Sequence, residues 1–204
     1  MRVLAIGAHP DDIEYGCGGT LYKARKSGHQ VYMFVVTDGS QSGDPLDRKK
    51  EQEKAAKYLG AEELIWGGYS DTELTVTRHL INHIDDVIKN VKPELILVNY
   101  PEDTHQDHRV TAECTITAAR YIRNVLFYED FTSLNFQPDI FVDIKEYILH
   151  KLQLMRRHIS QVEKDYPYEF DILESIKAIA PFRGFQGKLK YAEGFKALRY
   201  EVKL

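Results

Sequence analysis

Two short stretches of this chain hold the residue types that carry out hydrolytic chemistry. One is His9-Pro10-Asp11-Asp12 and the other is Thr104-His105-Gln106-Asp107-His108-Arg109. Imidazoles and carboxylates are the side chains that bind divalent ions and move protons near neutral pH. His9, Asp12 and His108 together supply two imidazoles and a carboxylate. That set holds an ion while leaving coordination positions open, as catalytic zinc sites do. An ion so held brings the pKa of bound water from about 15.7 towards roughly 7. At about 1.4 kcal/mol per pK unit, this is roughly 12 kcal/mol of help in making a nucleophile. Asp11, beside a ligand but pointing elsewhere, is placed to take a proton from that water. His105, if protonated, would stabilise an oxyanion or donate to a leaving group, with Asp107 holding its imidazole in the right tautomer.

For the two stretches to meet, the elements before them must end side by side. The apolar run Val3-Leu4-Ala5-Ile6-Gly7-Ala8 reads as a buried strand, and Leu95–Asn99 as another. Strands are predicted at Arg2–Gly7, Val31–Val36, Glu63–Trp66, Leu95–Asn99 and Val125–Tyr128. Helical patterns fall between them, near Gly18–Lys26, Asp47–Leu59, Val76–Val91 and Val110–Ile122. Such alternation implies βαβ units and a parallel sheet. Open sheets of this kind bind ligands at the carboxyl ends of their strands, where both stretches would emerge. Gly16, Gly18 and Gly19 let backbone approach a ligand or let a helix pack tightly on the sheet. After residue 130 the pattern changes. Phe131–Gln137 reads as a loop, Ile140–Val142 as a short strand and Lys145–Val162 as a long amphipathic helix. Asp171–Ala180 reads as a short helix, Gly184–Gly194 as a loop and Phe195–Lys203 as a last strand. No linker or repeat interrupts residues 1–204, so one domain is expected.

Composition narrows the function classes. At 204 residues, with 43% hydrophobic and 28% charged residues, the chain is an ordinary globular one. A net charge of −4 without a basic stripe argues against nucleic acid as a partner. The apolar stretch at the N-terminus is too short for a signal peptide, and none approaches the roughly 20 residues of a membrane span. Cys17 and Cys114 have no metal-binding spacing and read as reduced thiols of a cytoplasmic protein.

The stretch Ala8-His9-Pro10-Asp11-Asp12-Ile13-Glu14, with Gly16-Cys17-Gly18-Gly19-Thr20-Leu21, resembles the signature of the PIG-L/LmbE-like zinc-dependent N-deacetylases. Asp103-Thr104-His105-Gln106-Asp107-His108-Arg109 resembles that family's second metal-site motif. The resemblance implies a single Rossmann-like α/β domain, its mostly parallel sheet covered by helices on both faces. It implies hydrolysis of the N-acetyl group of an N-acetylglucosaminyl glycoside or related amino sugar, releasing acetate and a free amine. The metal ligands would be His9, Asp12 and His108, with Zn2+ the default ion and Fe2+ possible. Asp11 would be the base, His105 the oxyanion stabiliser and Asp107 its support. Arg48, in Arg48-Lys49-Lys50-Glu51, and Asp71, in Tyr69-Ser70-Asp71-Thr72-Glu73-Leu74, would contact the sugar. Ser70 and Thr72 depart from the Pro and Gly that relatives often carry there. Relatives further suggest a homo-oligomer, a trimer or hexamer.

Competing readings attach to the same residues. His9 and Asp12 could simply cap the first helix, and Asp107 could cap a later one. Two histidines and a carboxylate also describe non-haem iron oxygenases, whose β-barrel scaffold this alternation does not support. A non-catalytic sugar- or nucleotide-binding metal protein of the same fold would need neither Asp11 nor His105. His79 and His83 share a helix face but lack the glutamate of a zincin motif, so they read as helix surface.

Overall fold

A computed structural model describes residues 1–202, apart from the side chain of Tyr168. Its centre is the strand β1 (Arg2–Gly7), every residue of which after Arg2 is buried. Leu4 and Ile6 face one core, together with Phe34, Val36, Ile96, Val98 and Phe127. Val3 and Ala5 face the other, with Val31, Met33, Val35, Leu97 and Tyr128. Strands covered on both faces need apolar residues at every position, so they read as unbroken runs.

Six more strands complete the sheet: β2 (Gln30–Thr37), β3 (Glu63–Tyr69), β4 (Leu95–Asn99), β5 (Val125–Tyr128), β6 (Ile140–Asp143) and β7 (Ala192–Arg199). Their order is β3-β2-β1-β4-β5-β7-β6. The first five positions are parallel, while β7 runs antiparallel to both β5 and β6. The mostly parallel α/β fold expected from the sequence is the one observed. β1 lies between β2 and β4, so the direction of winding reverses there, and the crevice beyond their carboxyl ends is where such sheets take ligands. Val3 pairs with Leu95 and Ile6 with Val98, which brings the ends of β1 and β4 level.

Helices α1 (Asp12–Lys26) and α2 (Pro45–Leu59) cover one face, joined by Leu154 of α5 (Ile148–Met155). Helices α3 (Arg78–Val91) and α4 (Gln106–Ala118) cover the other through Leu80, Ile84, Val87, Ala112 and Cys114. Asp44 caps α2 through bonds to the Leu46 and Asp47 amides, with Pro45 behind it and Gly60 closing the far end.

Several element boundaries differ from the sequence reading, each for a physical reason. Helix α1 begins at Asp12, not Gly18, because the glycines serve packing. A Cβ on Gly16 would sit 2.1 Å from the Tyr128 ring. Tight approach of helix to sheet outweighs the poor helix propensity of glycine there. The long helix expected over Lys145–Val162 breaks at Arg156–His158 into α5 and α6 (Ile159–Val162), where the fully buried His158 turns inward. The last helix, α7 (Ile172–Gly187), continues through Pro181 instead of stopping at Ala180. It therefore takes up the start of the expected loop Gly184–Gly194, and β7 takes up its end. The predicted last strand is displaced accordingly, and its final residue, Lys203, lies outside the described residues.

Candidate active site

The turn after β1 and the first residue of α1 carry His9 to Asp12, and the loop after β4 with the first turn of α4 carries Asp103 to His108. Three atoms from them form a compact triangle. His9 Nδ1 lies 3.2 Å from His108 Nε2, His108 Nε2 3.3 Å from Asp12 Oδ2, and Asp12 Oδ2 3.6 Å from His9 Nδ1. An ion bonded at about 2.0–2.1 Å in tetrahedral geometry needs donor atoms roughly 3.3–3.4 Å apart. The donor set and its spacing therefore fit such an ion. His105 also presents a nitrogen within 4.8 Å of those of His9 and His108. The three triangle residues are each at most 7% exposed, so without a cation their polar atoms would crowd one another out of water.

A second layer aims the imidazoles. His108 Nδ1 lies 3.2 Å from Asp103 Oδ2, and Asp103 Oδ1 also accepts the His105 amide at 2.8 Å. His9 Nε2 is 3.0 Å from Asp71 Oδ1 and 3.2 Å from Asp107 Oδ2. Carboxylates that take the outer N–H of a ligating histidine fix its tautomer and raise its basicity. His9 thus offers Nδ1 to an ion and His108 offers Nε2. The Asp12 carboxylate is itself held by the His9 amide at 2.9 Å and the Asn99 side-chain amide at 3.1 Å. Burial opposes a charged imidazole at His108, yet the carboxylates of Asp12 and Asp103 outweigh it and lift its pKa to about 10. At His9 the balance is the same and the shift is again upward. Burial pushes Asp12 up, but the two imidazoles hold it well below the usual carboxylate range. The cluster attracts positive charge.

Asp11 stands apart from the triangle. Its backbone has φ of 96°, a left-handed value costly for a residue with a side chain. The Gln52 side-chain oxygen accepts its amide at 3.2 Å, and Gln52 in turn donates to Glu14 at 2.7 Å. Arg48, 2% exposed, donates to Asp11 Oδ2 at 3.2 Å and to the Pro10 carbonyl at 2.7 Å. Burial raises the Asp11 pKa, with Asp12 adding to the rise and Arg48 opposing it. Arg48 thus holds Asp11 rather than standing free in the cleft. Asp71 is likewise engaged, by His9 and by the Gln41 amide at 2.9 Å. Burial would raise it, but the bond and charge of His9 keep it low.

Two expectations about the second block require correction. The Asp107 carboxylate does not support His105: fully buried, it accepts from His9 and from the Thr72 amide at 2.7 Å. Nor does Asp107 cap α4. The cap is His105, whose Nδ1 accepts the Asp107 amide at 3.2 Å. This bond places the ring proton on Nε2. Burial, together with the charges of His9 and His108, lowers the His105 pKa and so disfavours the protonated imidazole expected from the sequence. A neutral Nε2–H still donates a hydrogen bond.

A model of the family described as GlcNAc-PI de-N-acetylase (PIG-L) matches residues 4–119, which include both blocks. The chain belongs to the PIG-L family. It is 35% identical, over 78% of its length and 90% of the other, to the uncharacterized deacetylase YaiS of Escherichia coli K12. It is 30% identical, over 96% of its length and 82% of the other, to the diacetylchitobiose deacetylase of Thermococcus kodakarensis. Among solved structures it superposes on the N,N'-diacetylchitobiose deacetylase of Pyrococcus horikoshii with a TM-score of 0.83 at 27% identity, covering 97% of this chain and 83% of that one.

The PIG-L segment supplies only part of the cleft over the triangle. This cleft, of about 230 Å³, is bordered by His9, Asp11, Asp12, Arg48, Asp71, His105 and His108. Its other wall comes from beyond residue 119: Asp130, Phe131, Thr132, Gln161, Lys164 and Tyr166. Sequence reasoning missed Asp103, Asn99 and Asp130. Asp103 stands at the head of the second block, but nothing in its type separates a histidine-orienting carboxylate from a turn residue. Asp130 follows a strand end, which is the signal that could have marked it.

Proposed function

We propose that this PIG-L chain is a metal-dependent N-deacetylase. It would hydrolyse the acetamide of an N-acetylglucosaminyl glycoside or related amino sugar, releasing acetate and a free amine. The observation that carries this reading is the triangle of His9, Asp12 and His108 with a separate carboxylate, Asp11, beside it in one cleft. The activities named for the diacetylchitobiose deacetylases support it. Those three residues would hold the ion, Zn2+ by its usual preference for this donor set, with Fe2+ able to occupy the same ligands. When bound, such an ion supplies Lewis acidity to water and to a carbonyl oxygen.

The chain's own residues supply the rest. Asp11, steadied by Arg48, accepts a proton from the attacking water. The same proton is then available to the leaving nitrogen. His105 donates its Nε2–H towards the oxygen of the acetyl carbonyl as negative charge builds there, a contribution that mutational studies of such donors put at roughly 3–4 kcal/mol. Asp107 serves by orienting His9, not His105. Arg48 and Asp71 border the cleft, and we assign them contacts with the sugar in addition to their hold on Asp11 and His9.

Among the described residues no helix is long and apolar enough to cross a membrane. Cys17 and Cys114 are buried and unpaired, which supports a reducing, cytoplasmic setting. The exposed Phe182 and Phe185 on α7 suit a homo-oligomer, and sedimentation would show whether it is a trimer or a hexamer. The decisive experiment is an amine-release screen of N-acetylglucosamine and its glycosides, with and without a chelator. Release that a chelator stops and zinc restores supports the reading. Tight sugar binding with no amine released would refute it.

A further inference from the structure

Helix α1 starts in an unusual way. The residue before a helix ordinarily has extended backbone, and its side chain accepts from amides of the first turn. Asp11 occupies that place, yet its φ of 96° is left-handed and its side chain makes no such bond. Its carboxylate borders the cleft instead of closing the helix. A backbone of this kind persists only where its surroundings hold it. Arg48 and Gln52 do so from one face of α2, where residues four apart are neighbours. Arg48 takes the Asp11 carboxylate and the Pro10 carbonyl. The Gln52 oxygen takes the Asp11 amide at 3.2 Å. Fully buried, Gln52 reaches the cleft only through Asp11.

We infer that Gln52 is a positioning residue: it fixes the left-handed backbone from which the Asp11 carboxylate enters the cleft, and Glu14 sets which end of Gln52 faces Asp11. This rests on the deacetylase reading and adds to the residues that serve it. An amide side chain has a donor end and an acceptor end, and the Asp11 N–H needs the acceptor. Glu14 Oε1, in a residue 1% exposed, takes the donor end, with Gln52 Nε2 at 2.7 Å. The oxygen is thereby left for Asp11. Without it the Asp11 amide loses its acceptor, and residue 11 can relax to extended backbone with its carboxylate capping α1, away from the cleft. Misplacing a reacting group by about 1 Å costs on the order of 10²-fold in rate.

The test compares the zinc-loaded full chain with Gln52→Met, Gln52→Glu, and Gln52→Glu combined with Glu14→Gln. Methionine keeps the volume and lacks the acceptor. Glutamate alone sets one carboxyl group against another, whereas the double exchange restores a donor at 14 opposite an acceptor at 52. The readouts are kcat and KM for amine release at each protein's optimal pH, zinc content, and hydrogen exchange of the Asp11 amide. Both single changes at 52 should lower kcat about 10–100-fold, with KM and zinc content within about two-fold of wild type. Exchange at Asp11 should quicken in Gln52→Met, and the double exchange should recover at least about ten-fold of the kcat lost by Gln52→Glu. Urea midpoints report folding, and the double exchange carries the test where Gln52→Met does not fold. A glutamine that serves folding alone would shift the midpoint without separating kcat from KM. An unchanged kcat in Gln52→Met, or a double exchange no better than Gln52→Glu, overturns the positioning role while leaving deacetylation standing. Absence of amine release by the wild type from every sugar overturns both.

Discussion

Replacing Asp103 with asparagine tests whether the second layer is what makes His108 a ligand. The change keeps size and shape, removes the negative charge and turns one acceptor into a donor. In the wild type both carboxylate oxygens accept: Oδ2 faces His108 Nδ1 at 3.2 Å and the Ser133 hydroxyl at 3.1 Å, and Oδ1 takes the His105 amide at 2.8 Å. An asparagine has one acceptor and one donor group, so it satisfies one side and opposes the other. If its oxygen keeps the His105 amide, its NH2 meets the His108 Nδ1–H donor to donor. The ring could escape by moving its proton to Nε2, but that occupies the atom an ion needs. Loss of such an outer partner costs about 10–100-fold in metal affinity, equivalent to roughly 1.4–2.7 kcal/mol. Zinc affinity measured by competition with a chromogenic chelator at fixed pH is the direct assay, with kcat at saturating zinc as its companion. We expect affinity to fall within that range and kcat to recover largely when zinc is in excess. Affinity within two-fold of wild type would show that the Asp103–His108 contact does not orient the imidazole, and the ligand assignment would lose its main support.

Other perturbations separate the remaining roles. Asp11→Asn should lower amine release by about 10²–10⁴-fold, the range for a positioned base, with zinc content unchanged on elemental analysis; lost zinc would contradict its place outside the triangle. Arg48→Leu removes the cation that opposes the upward shift of Asp11. Since the base acts ionised, the acid limb of the kcat/KM profile should move to higher pH, and a limb that stays in place or moves down would disprove the coupling. Lys151→Met leaves the buried Glu193 carboxylate without its 2.5 Å partner. Breaking a buried pair from one side costs about 3–5 kcal/mol, so urea unfolding should show a loss of that order; a change below about 1 kcal/mol would refute it.

The triangle of His9, Asp12 and His108 was readable because its two segments follow two apolar strands. Any parallel pairing of β1 with β4 brings His9 and Asp12 to His108. The residues that aim them were less readable. Asp71 reaches His9 from a loop whose approach depends on β3 lying two strands away, and the Asp107 carboxylate turns to His9 because the Thr72 amide is there to receive it. Adjacency in sequence suggested that Asp107 serves His105; the fold decides otherwise. Pro181 and the glycines of α1 misled for a related reason. Local propensity marks them as breakers, while packing against Tyr128 and the helix continuing past Pro181 override it. Asp130 and Phe131 carry no spacing signature and become meaningful only through the cleft they border.

The insertion of β7 between β5 and β6 has a consequence for how the molecule is assembled. Among the described residues β6 pairs only with β7, so it must wait for a strand that leaves the ribosome about fifty residues later. β7 also brings Glu193, which receives the Gly19 and Thr20 amides of α1 and the ammonium of Lys151. The helix whose first residue is Asp12 is therefore clamped by the last strand among the described residues. Long-range closure of this kind is slow. A nascent chain halted before Ala192 would carry both histidine-containing segments and still lack the brace that seats one of them.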